Sequence, residues 1–161
     1  MKFLCDEMLA GLARWLRAAG YDADMGAAGM ADRQLVRRAQ TQGRTLLTRD
    51  RDLLLIKDAA RCTMLLQSES LDDWAHELQQ VHGIDWLKRP FSRCLLCNVE
   101  LVDADDDALA RMPEDTRTRP GPFKSCPQCG RGYWPGSHVK RMMARLKQFA
   151  AYPGHTPAKR S

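Results

Sequence analysis

The feature that most constrains this chain is a matched pair of cysteine motifs in its C-terminal half. Cys94-x-x-Cys97 and Cys126-x-x-Cys129 each place two thiols on one turn, and residues 98–125 separate the two motifs. Four thiolates are the usual ligands of a structural Zn²⁺ site, where the tetrahedral ion has no open position for water. The pattern therefore predicts one structural zinc ion, bound by these four cysteines, in a small C-terminal module.

Two other uses of cysteine are less consistent with the sequence. The N-terminal segment Met1-Lys2-Phe3-Leu4-Cys5-Asp6 contains no cleavable apolar region, so we expect a cytoplasmic protein, in which disulfides are rare. A thioredoxin-like redox role is the alternative for one motif, but two matched motifs favour a metal. Cys5 and Cys62 lie in apolar runs and are expected in the core.

Charge is distributed unevenly along the 161 residues. The formal net charge is +5, and residues 117–161 contain ten basic residues and no acidic one. One-sided positive charge attracts the phosphates of nucleic acids, although a basic C-terminal segment can also serve solubility alone. The apolar runs are far shorter than the roughly 20 residues of a membrane span. We therefore expect nucleic acid as the partner, with no membrane and no small-molecule cofactor; the oligomeric state is left open.

Residues 1–89 alternate short apolar runs with amphipathic segments. The runs predict strands at 2–5, 45–48 and 62–66, and the segment 21–25, which has a weaker apolar pattern, is a further strand candidate. Apolar positions at helical spacing follow them, and these are Leu9, Leu12, Ala13 and Leu16; Leu35, Val36 and Ala39; the run 53–56; and Leu71, Trp74, Leu78 and Val81. Gly20 and Gly43 are predicted to end the first two helices. Strands that alternate with helices indicate an α/β fold whose parallel sheet is covered on both faces.

Three aspartates fall at one predicted edge of this sheet. Asp6 ends the first strand, Asp32 is predicted as the N-cap of the second helix, and Asp50 follows the third strand. Ligands of such sheets bind beyond the carboxyl ends of the strands, and clustered carboxylates suit Mg²⁺ or Mn²⁺. Each aspartate alone is also an ordinary helix cap. Asp52 is either a fourth ligand or a first-turn acid that favours the helix dipole.

Several longer strings carry a resemblance to a known family. They are Phe3-Leu4-Cys5-Asp6, Leu12-Ala13-Arg14-Trp15-Leu16-Arg17, Gly20-Tyr21-Asp22, Gly43-Arg44-Thr45-Leu46-Leu47-Thr48-Arg49-Asp50-Arg51, Arg93-Cys94-Leu95-Leu96-Cys97-Asn98 and the segment 126–138 with Arg141-Met142. The chain resembles the Mut7-C family, a PIN-like ribonuclease domain followed by a zinc ribbon. The resemblance implies a PIN-like parallel sheet with flanking helices at 1–89, a zinc ribbon with a basic C-terminal helix at 90–150 and a flexible tail at 151–161.

The resemblance also implies an activity. PIN-like proteins are metal-dependent nucleases, so we expect cleavage of RNA by metal-activated water, with Asp6, Asp32 and Asp50 as the catalytic Mg²⁺ or Mn²⁺ ligands. The family tends to carry a second acid beside Asp32, whereas this chain has Ala31 and Arg33 there. A non-catalytic RNA-binding adaptor is therefore the alternative function. A PIN-class toxin fits poorly, because those toxins usually lack a ribbon.

Basic and aromatic side chains are the candidate RNA contacts. They are Arg14 and Arg17 on the first helix, Arg49 beside Asp50, and the group Arg131, Tyr133, Trp134, His138, Lys140 and Arg141. Interleaved aromatic and basic residues can stack unpaired bases and bind their phosphates. In the competing interpretation, the two arginines of the first helix are ordinary surface residues, and Tyr133 and Trp134 form the core of the ribbon. Trp15 and Trp74 are expected in the main core.

Two further elements are predicted in the C-terminal part. Val139, Met142, Met143 and Leu146 have helical spacing, so we expect an amphipathic helix from Ser137 with its basic residues outside. The acidic segment 103–107 is predicted to be a solvated, loop-like insertion.

Overall fold

Four short segments form one parallel sheet. The strands are β1 (Lys2–Cys5), β2 (Asp22–Met25), β3 (Thr45–Thr48) and β4 (Thr63–Leu65), in the order β2-β1-β3-β4. Lys2 lies opposite Asp22, Phe3 opposite Thr45, and Leu46 opposite Thr63. This is a computed structural model that describes residues 1–154. The predicted α/β class with a parallel sheet is confirmed.

Helices cover both faces of the sheet, because successive strand residues point to opposite sides. The helices of this part are α1 (Ala10–Ala18), α2 (Asp32–Gln42) and α3 (Leu71–His82). α1 and α3 share a core with Phe3 and Leu47, whereas α2 packs with Leu4 and Leu46 on the other face. The predicted inward positions of α1 and α2 are all buried. Gly43, with a positive φ of 60°, ends α2.

Three local predictions were wrong. Ala31, not Asp32, is the N-cap of α2, and Asp32 is its first helical residue. The segment after Asp52 forms two 3-10 turns, Asp52–Leu55 and Ala59–Arg61, instead of an apolar helix. Consecutive apolar residues do not make one buried helical face, and here Leu53 is buried while Leu55 is 83% exposed. Val81 of α3 likewise points to solvent.

The C-terminal part contains a small antiparallel sheet and a long helix. The strands are β5 (Val102–Asp103), β6 (Lys124–Ser125) and β7 (Gly132–Tyr133), and the helices are α4 (Asp106–Ala110), α5 (Glu114–Arg117) and α6 (Ser137–Ala151). The acidic insertion is therefore folded and not loop-like. The Asp105 carboxylate accepts a hydrogen bond from Ala108 N at 2.7 Å and caps α4, whose acids stay exposed while Ala108 and Met112 are buried.

The C-terminal helix belongs to the same core as the main sheet. Of the apolar positions predicted for α6, Met142 and Leu146 are buried, and Val139 and Met143 are partly buried. Phe149 is buried as well. The Phe149 ring lies edge-on to Trp15, with centroids 5.3 Å apart, and tilted against the fully buried Trp86 at 5.2 Å. One continuous hydrophobic cluster therefore contains residues from both sides of position 89.

The chain remains attached to the fold beyond α6. The Tyr152 hydroxyl donates to the Asp73 carboxylate at 2.9 Å, and the Tyr152 carbonyl lies 3.1 Å from His76 Nδ1. Tyr152 is thus held against α3, although the sequence placed it in the flexible tail. Residues 155–161 of that predicted tail lie outside the described residues. Between residues 1 and 154, no helix combines the length and the apolar character needed to cross a bilayer.

Candidate functional site

The four thiols of the two cysteine motifs converge on one point. Their Sγ atoms all lie within 4.8 Å of one another, and those of Cys94 and Cys129 are 3.9 Å apart. Zn–S bonds of about 2.3 Å in a tetrahedron separate the sulfurs by about 3.8 Å. The quartet therefore fits a tetrahedral zinc ion.

Both cysteine turns have the same backbone geometry. Cys97 N donates to Cys94 Sγ and Cys129 N donates to Cys126 Sγ, each at 3.4 Å. Asn98 and Gly130, which directly follow the two motifs, have positive φ values of 62° and 73°. Asparagine and glycine are the residue types that adopt this left-handed conformation most readily. Each motif is thus followed by a residue suited to close its turn.

The thiols differ in acidity. Burial raises the pKa of Cys94, but hydrogen bonds from the Tyr133 hydroxyl and the backbone N–H groups of Cys97 and Leu96 outweigh it, and the pKa falls to about 7. The hydrogen bond to Cys129, aided by burial, raises the pKa of Cys97 to about 12. Cys94 therefore ionises more readily than Cys97. A bound cation would displace the protons of the other thiols, because zinc takes cysteine as thiolate.

Tyr133 supports this centre from within the core. Its hydroxyl donates to Cys94 Sγ at 3.2 Å and accepts from Leu95 N at 3.0 Å, and the side chain is buried. Because Tyr133 is only 8% exposed, little of its ring surface is accessible for a base to stack on. The assignment of Tyr133 as an RNA contact was wrong, and its alternative as a core residue of the ribbon describes the structure.

Arg17 joins the first cysteine turn to the sheet. Its Nε donates to Ala23 O at 2.7 Å, and its Nη1 donates to Leu95 O at 2.9 Å and Leu96 O at 3.1 Å. The residue is 8% exposed, so its guanidinium serves backbone carbonyls and not phosphates. The predicted RNA contact at Arg17 was therefore wrong.

Asn98 completes the same junction. Ala23 N donates to Asn98 Oδ1 at 3.0 Å, and Asn98 Nδ2 donates to the Asp22 carboxylate at 2.7 Å. Arg44 also donates to Asp22, at 2.6 Å. Burial raises the pKa of Asp22, but these two donors outweigh it and lower the pKa below its usual value. β2 is an edge strand, and the backbone N–H and C=O of Ala23 on its outer side are hydrogen-bonded by the side chains of Asn98 and Arg17.

The carboxyl ends of β1 and β3 frame the point where the strand order reverses. The chain runs from β1 to β2 on one side and then crosses to β3 on the other. Such switch points are the usual ligand crevices of parallel sheets. Asp6 follows β1 and Asp50 follows β3, so the sequence places both at this crevice.

Thr48 links these two aspartates. Its hydroxyl, fully buried, donates to Asp6 Oδ2 at 2.8 Å and accepts from Asp50 N at 3.0 Å. The Asp6 carboxylate also accepts from Glu7 N at 2.6 Å. Thr48 was not predicted as a site residue. The sequence shows a threonine at the end of an apolar strand, but it does not show whether the hydroxyl bonds the backbone or the side chain of a site residue.

Asp32 does not share a ligand group with the other two acids. It is exposed at the start of α2. Within residues 1–154, the cysteine quartet is the one set of three or more histidine, cysteine or acidic residues whose ligand atoms lie close enough together for a metal ion. Asp52 donates its N–H to Asp50 Oδ1 at 2.8 Å and opens a 3-10 turn.

The remaining RNA candidates lie in three places. The Arg49 guanidinium lies over the Trp74 ring, 5.6 Å from its centroid, and 3.8 Å from Glu69. Lys140 and Arg141 are exposed on α6. The last group lines one cleft of about 470 Å³ between α1 and the ribbon, and it consists of Arg14, Arg131, Trp134 and His138.

The Mut7-C RNAse domain family model matches residues 1–146. The chain belongs to the Mut7-C RNAse domain family. The Mut7-C match spans both the sheet and the cysteine quartet, so both belong to the family domain. No curated protein and no solved structure matches the chain at a significant level.

Membership in the Mut7-C family supports a nuclease-like role and implies RNA as the substrate. The four clustered cysteines are able to bind a zinc ion. In this Mut7-C chain the two centres lie at different parts of the fold: the acids follow β1 and β3, whereas the cysteine turn 94–97 contacts α1 through Arg17. A zinc ion bound by all four cysteines would have no open position for a substrate.

Proposed function

We propose that this chain is a metal-dependent ribonuclease that hydrolyses RNA phosphodiester bonds at the switch point between β1 and β3, while the zinc ribbon helps to bind the RNA. One observation carries the proposal. In a chain of an RNase family, the hydroxyl of Thr48 connects the Asp6 carboxylate to the backbone N–H of Asp50 at the position where parallel sheets bind their ligands. We also retain the cytoplasmic location as part of this proposal.

The proposal assigns Asp6 and Asp50 as ligands of Mg²⁺ or Mn²⁺ at the switch point, with Asp32 and Asp52 as further candidates. A bound divalent cation generates hydroxide from water and stabilises the charge that develops on a phosphodiester. The chain itself fixes its acids: Thr48 orients Asp6, and Asp6 N donates to Leu47 O at 3.0 Å, which holds the turn after β1.

Electrostatics gives the ribbon its role in the proposal. Carboxylates repel RNA phosphates, so affinity must come from positive charge elsewhere on the chain. The exposed side chains of Arg14, Arg131, Lys140 and Arg141 supply that charge. The zinc ion would keep Arg131 in place, because it closes the turn that precedes this residue.

The test compares Asp50→Asn with the wild-type protein. Labelled single-stranded and structured RNAs are incubated with and without Mn²⁺; a strong chelator is avoided, since it would also remove zinc. The variant should keep its zinc content and RNA affinity and lose Mn²⁺-dependent cleavage by about a hundredfold or more, because a lost metal ligand removes several kcal/mol of transition-state stabilisation. Asp58→Asn is the matched control, as Asp58 is exposed and has a φ of 63° that asparagine accepts. Equal cutting by Asp50→Asn would refute the assignment.

A non-catalytic RNA-binding adaptor is the second candidate. It is favoured by the separation of Asp32 from a common ligand group with Asp6 and Asp50. The same incubation decides between the two functions. RNA that is bound but remains intact in Mn²⁺ indicates the adaptor, and fragments that require Mn²⁺ indicate the enzyme.

A further inference from the structure

The cleft between α1 and the ribbon has the dimensions of a small-molecule site. Its volume is about 470 Å³, within the range of about 300 to 1,000 Å³ typical of ligand pockets. Leu95 and Leu96 of the first cysteine turn and Trp134 line it together with cationic side chains. The cleft therefore joins an aromatic surface, an apolar wall and positive charge.

Two glycines hold the indole of Trp134 in place. A Cβ atom added to Gly136 would lie 2.8 Å from Trp134 Nε1, and one added to Gly132 would lie 3.3 Å from Trp134 Cζ3. A side chain at position 136 would therefore clash with the ring, and the ring also packs closely against the backbone at Gly132. Trp134 is partly exposed. A ring fixed in this way offers a preformed stacking surface, which reduces the entropic cost of binding a planar group.

The charge of this cleft is not neutralised by the protein. Arg14 and Arg131 form no ion pair within residues 1–154, and no carboxylate is among the residues that line the cleft. A neighbouring cleft of about 350 Å³ differs, because its Arg89 and Lys124 pair with Glu100 and Asp103. The free positive charge thus distinguishes the first cleft as a site for an anion.

We propose that this cleft binds an unpaired nucleotide of an RNA strand, with the base stacked on Trp134 and the phosphates bound by Arg14 and Arg131. The inference rests on the proposed function for its substrate class, RNA. A base inside a duplex has both faces covered by its neighbours, so stacking on a protein ring requires an unpaired base. A further cleft of about 610 Å³ is lined by Trp134 and Arg131, as the first cleft is, and also by Arg111. This further cleft provides space and positive charge for an adjacent nucleotide. The ribbon therefore selects single-stranded RNA.

The test measures binding without cleavage, on the zinc-loaded full chain in the absence of Mn²⁺. Fluorescence anisotropy compares a labelled decameric oligouridylate with an RNA duplex of equal length. Trp134→Ala should weaken binding of the single strand about tenfold, since loss of one stacked base costs that much, and should change duplex binding little. Trp134→Phe keeps a ring and should restore most of the affinity.

The phosphate contacts are tested with Arg131→Gln. This variant should weaken single-strand binding about fivefold or more and lower the salt dependence, because one phosphate contact is lost. Arg37→Gln is the matched control: Arg37 is an exposed residue of α2, which packs on the opposite face of the sheet. Zinc content and thermal midpoint are measured for every variant, and Trp134→Ala is compared only at unchanged zinc content.

The outcomes separate this inference from the nuclease proposal. Unchanged single-strand binding by both Trp134→Ala and Arg131→Gln overturns the cleft assignment, even if Mn²⁺-dependent cleavage occurs. Equal affinity of the wild-type protein for duplex and single strand also overturns it. An absence of RNA binding overturns it too, and would mean that the cleft binds a ligand of another class. Binding that depends on Trp134 without any cleavage in Mn²⁺ supports the cleft and contradicts the nuclease.

Discussion

Asn98 is the residue through which a single substitution most directly tests the junction between the zinc ribbon and the sheet. Its side chain accepts from Ala23 N and donates to the Asp22 carboxylate, and its backbone has a φ of 62°. Asn98→Ala removes both hydrogen bonds and places an alanine in the left-handed conformation. The cysteine ligands themselves are unchanged, so the variant retains the zinc-binding set.

The expected loss in the free energy of unfolding of Asn98→Ala is the sum of three effects. A hydrogen bond to a charged group contributes about 1.5 kcal/mol or more, and one between neutral groups contributes about 1 kcal/mol. The left-handed conformation costs alanine about 1 kcal/mol or more relative to residues that tolerate it. Because Asp22 is partly exposed and water can replace its lost donor, we take the lower values. Asn98→Ala should therefore lower the free energy of unfolding by roughly 3 to 4 kcal/mol.

The assay is urea unfolding of the zinc-loaded protein, followed by circular dichroism and tryptophan fluorescence. Asn98→Gly is the matched variant, because it loses the same hydrogen bonds without strain at a positive φ, and it should be about 1 kcal/mol more stable than Asn98→Ala. A loss below about 1 kcal/mol for Asn98→Ala would show that the side chain does not stabilise the junction. Equal stability of the two variants would refute the backbone part of the argument.

Three further predictions concern other contacts of the two centres. The pKa of Asp22 is lowered in the folded protein, so its carboxylate stabilises the fold above the unfolded pKa of about 3.9, and this stability is lost as the pH falls through the folded pKa. Asp22→Asn should therefore make the urea midpoint fall less steeply below about pH 4. The same pH dependence in the variant and the wild type would contradict this. Tyr133→Phe removes the donor to Cys94 Sγ and should weaken zinc binding about tenfold in competition with a chromophoric chelator; undiminished affinity would exclude a supporting role. Thr48→Val removes the hydroxyl that orients Asp6 and should lower Mn²⁺-dependent cleavage by about 10- to 100-fold, whereas Thr48→Ser should retain it; full activity of the valine variant would show that this hydrogen bond is dispensable.

The regular elements could be predicted from local patterns. β1, β3 and β4 each contain a short apolar run, whereas β2 contains two aspartates and has a weaker pattern. α1 and α6 have apolar residues at helical spacing, as in Leu12 and Leu16. Burial of one face is sufficient to select such elements. The run 53–56 shows the limit of this reasoning, since four adjacent apolar residues do not specify which of them face the core, and Asp58 with a positive φ interrupts any long helix.

Site residues were harder to predict because their roles depend on distant partners. Arg14 and Arg17 are three residues apart and have the same chemistry, yet Arg14 is exposed while Arg17 is buried against Leu95 and Leu96. Nothing local to α1 signals that a cysteine turn, 78 positions away along the chain, will present its carbonyls there. The cysteine quartet could be found because metal ligation requires both spacing and residue type, which are visible in sequence.

The ribbon completes the core of the sheet and is more than a module attached to it. The sheet has four strands of only three or four residues, and a small domain of this kind buries too little apolar surface to be stable with much margin. Phe149 of α6 covers Trp15 and Trp86, so a chain that ends at residue 89 would expose two large aromatic side chains to water. Because Arg17 and Asn98 attach the first cysteine turn to β2, zinc bound at the quartet also stabilises the strand next to β1. We therefore expect zinc binding at the quartet to increase the stability of the sheet that positions Asp6, although a zinc ion with four cysteine ligands has no open position for substrate.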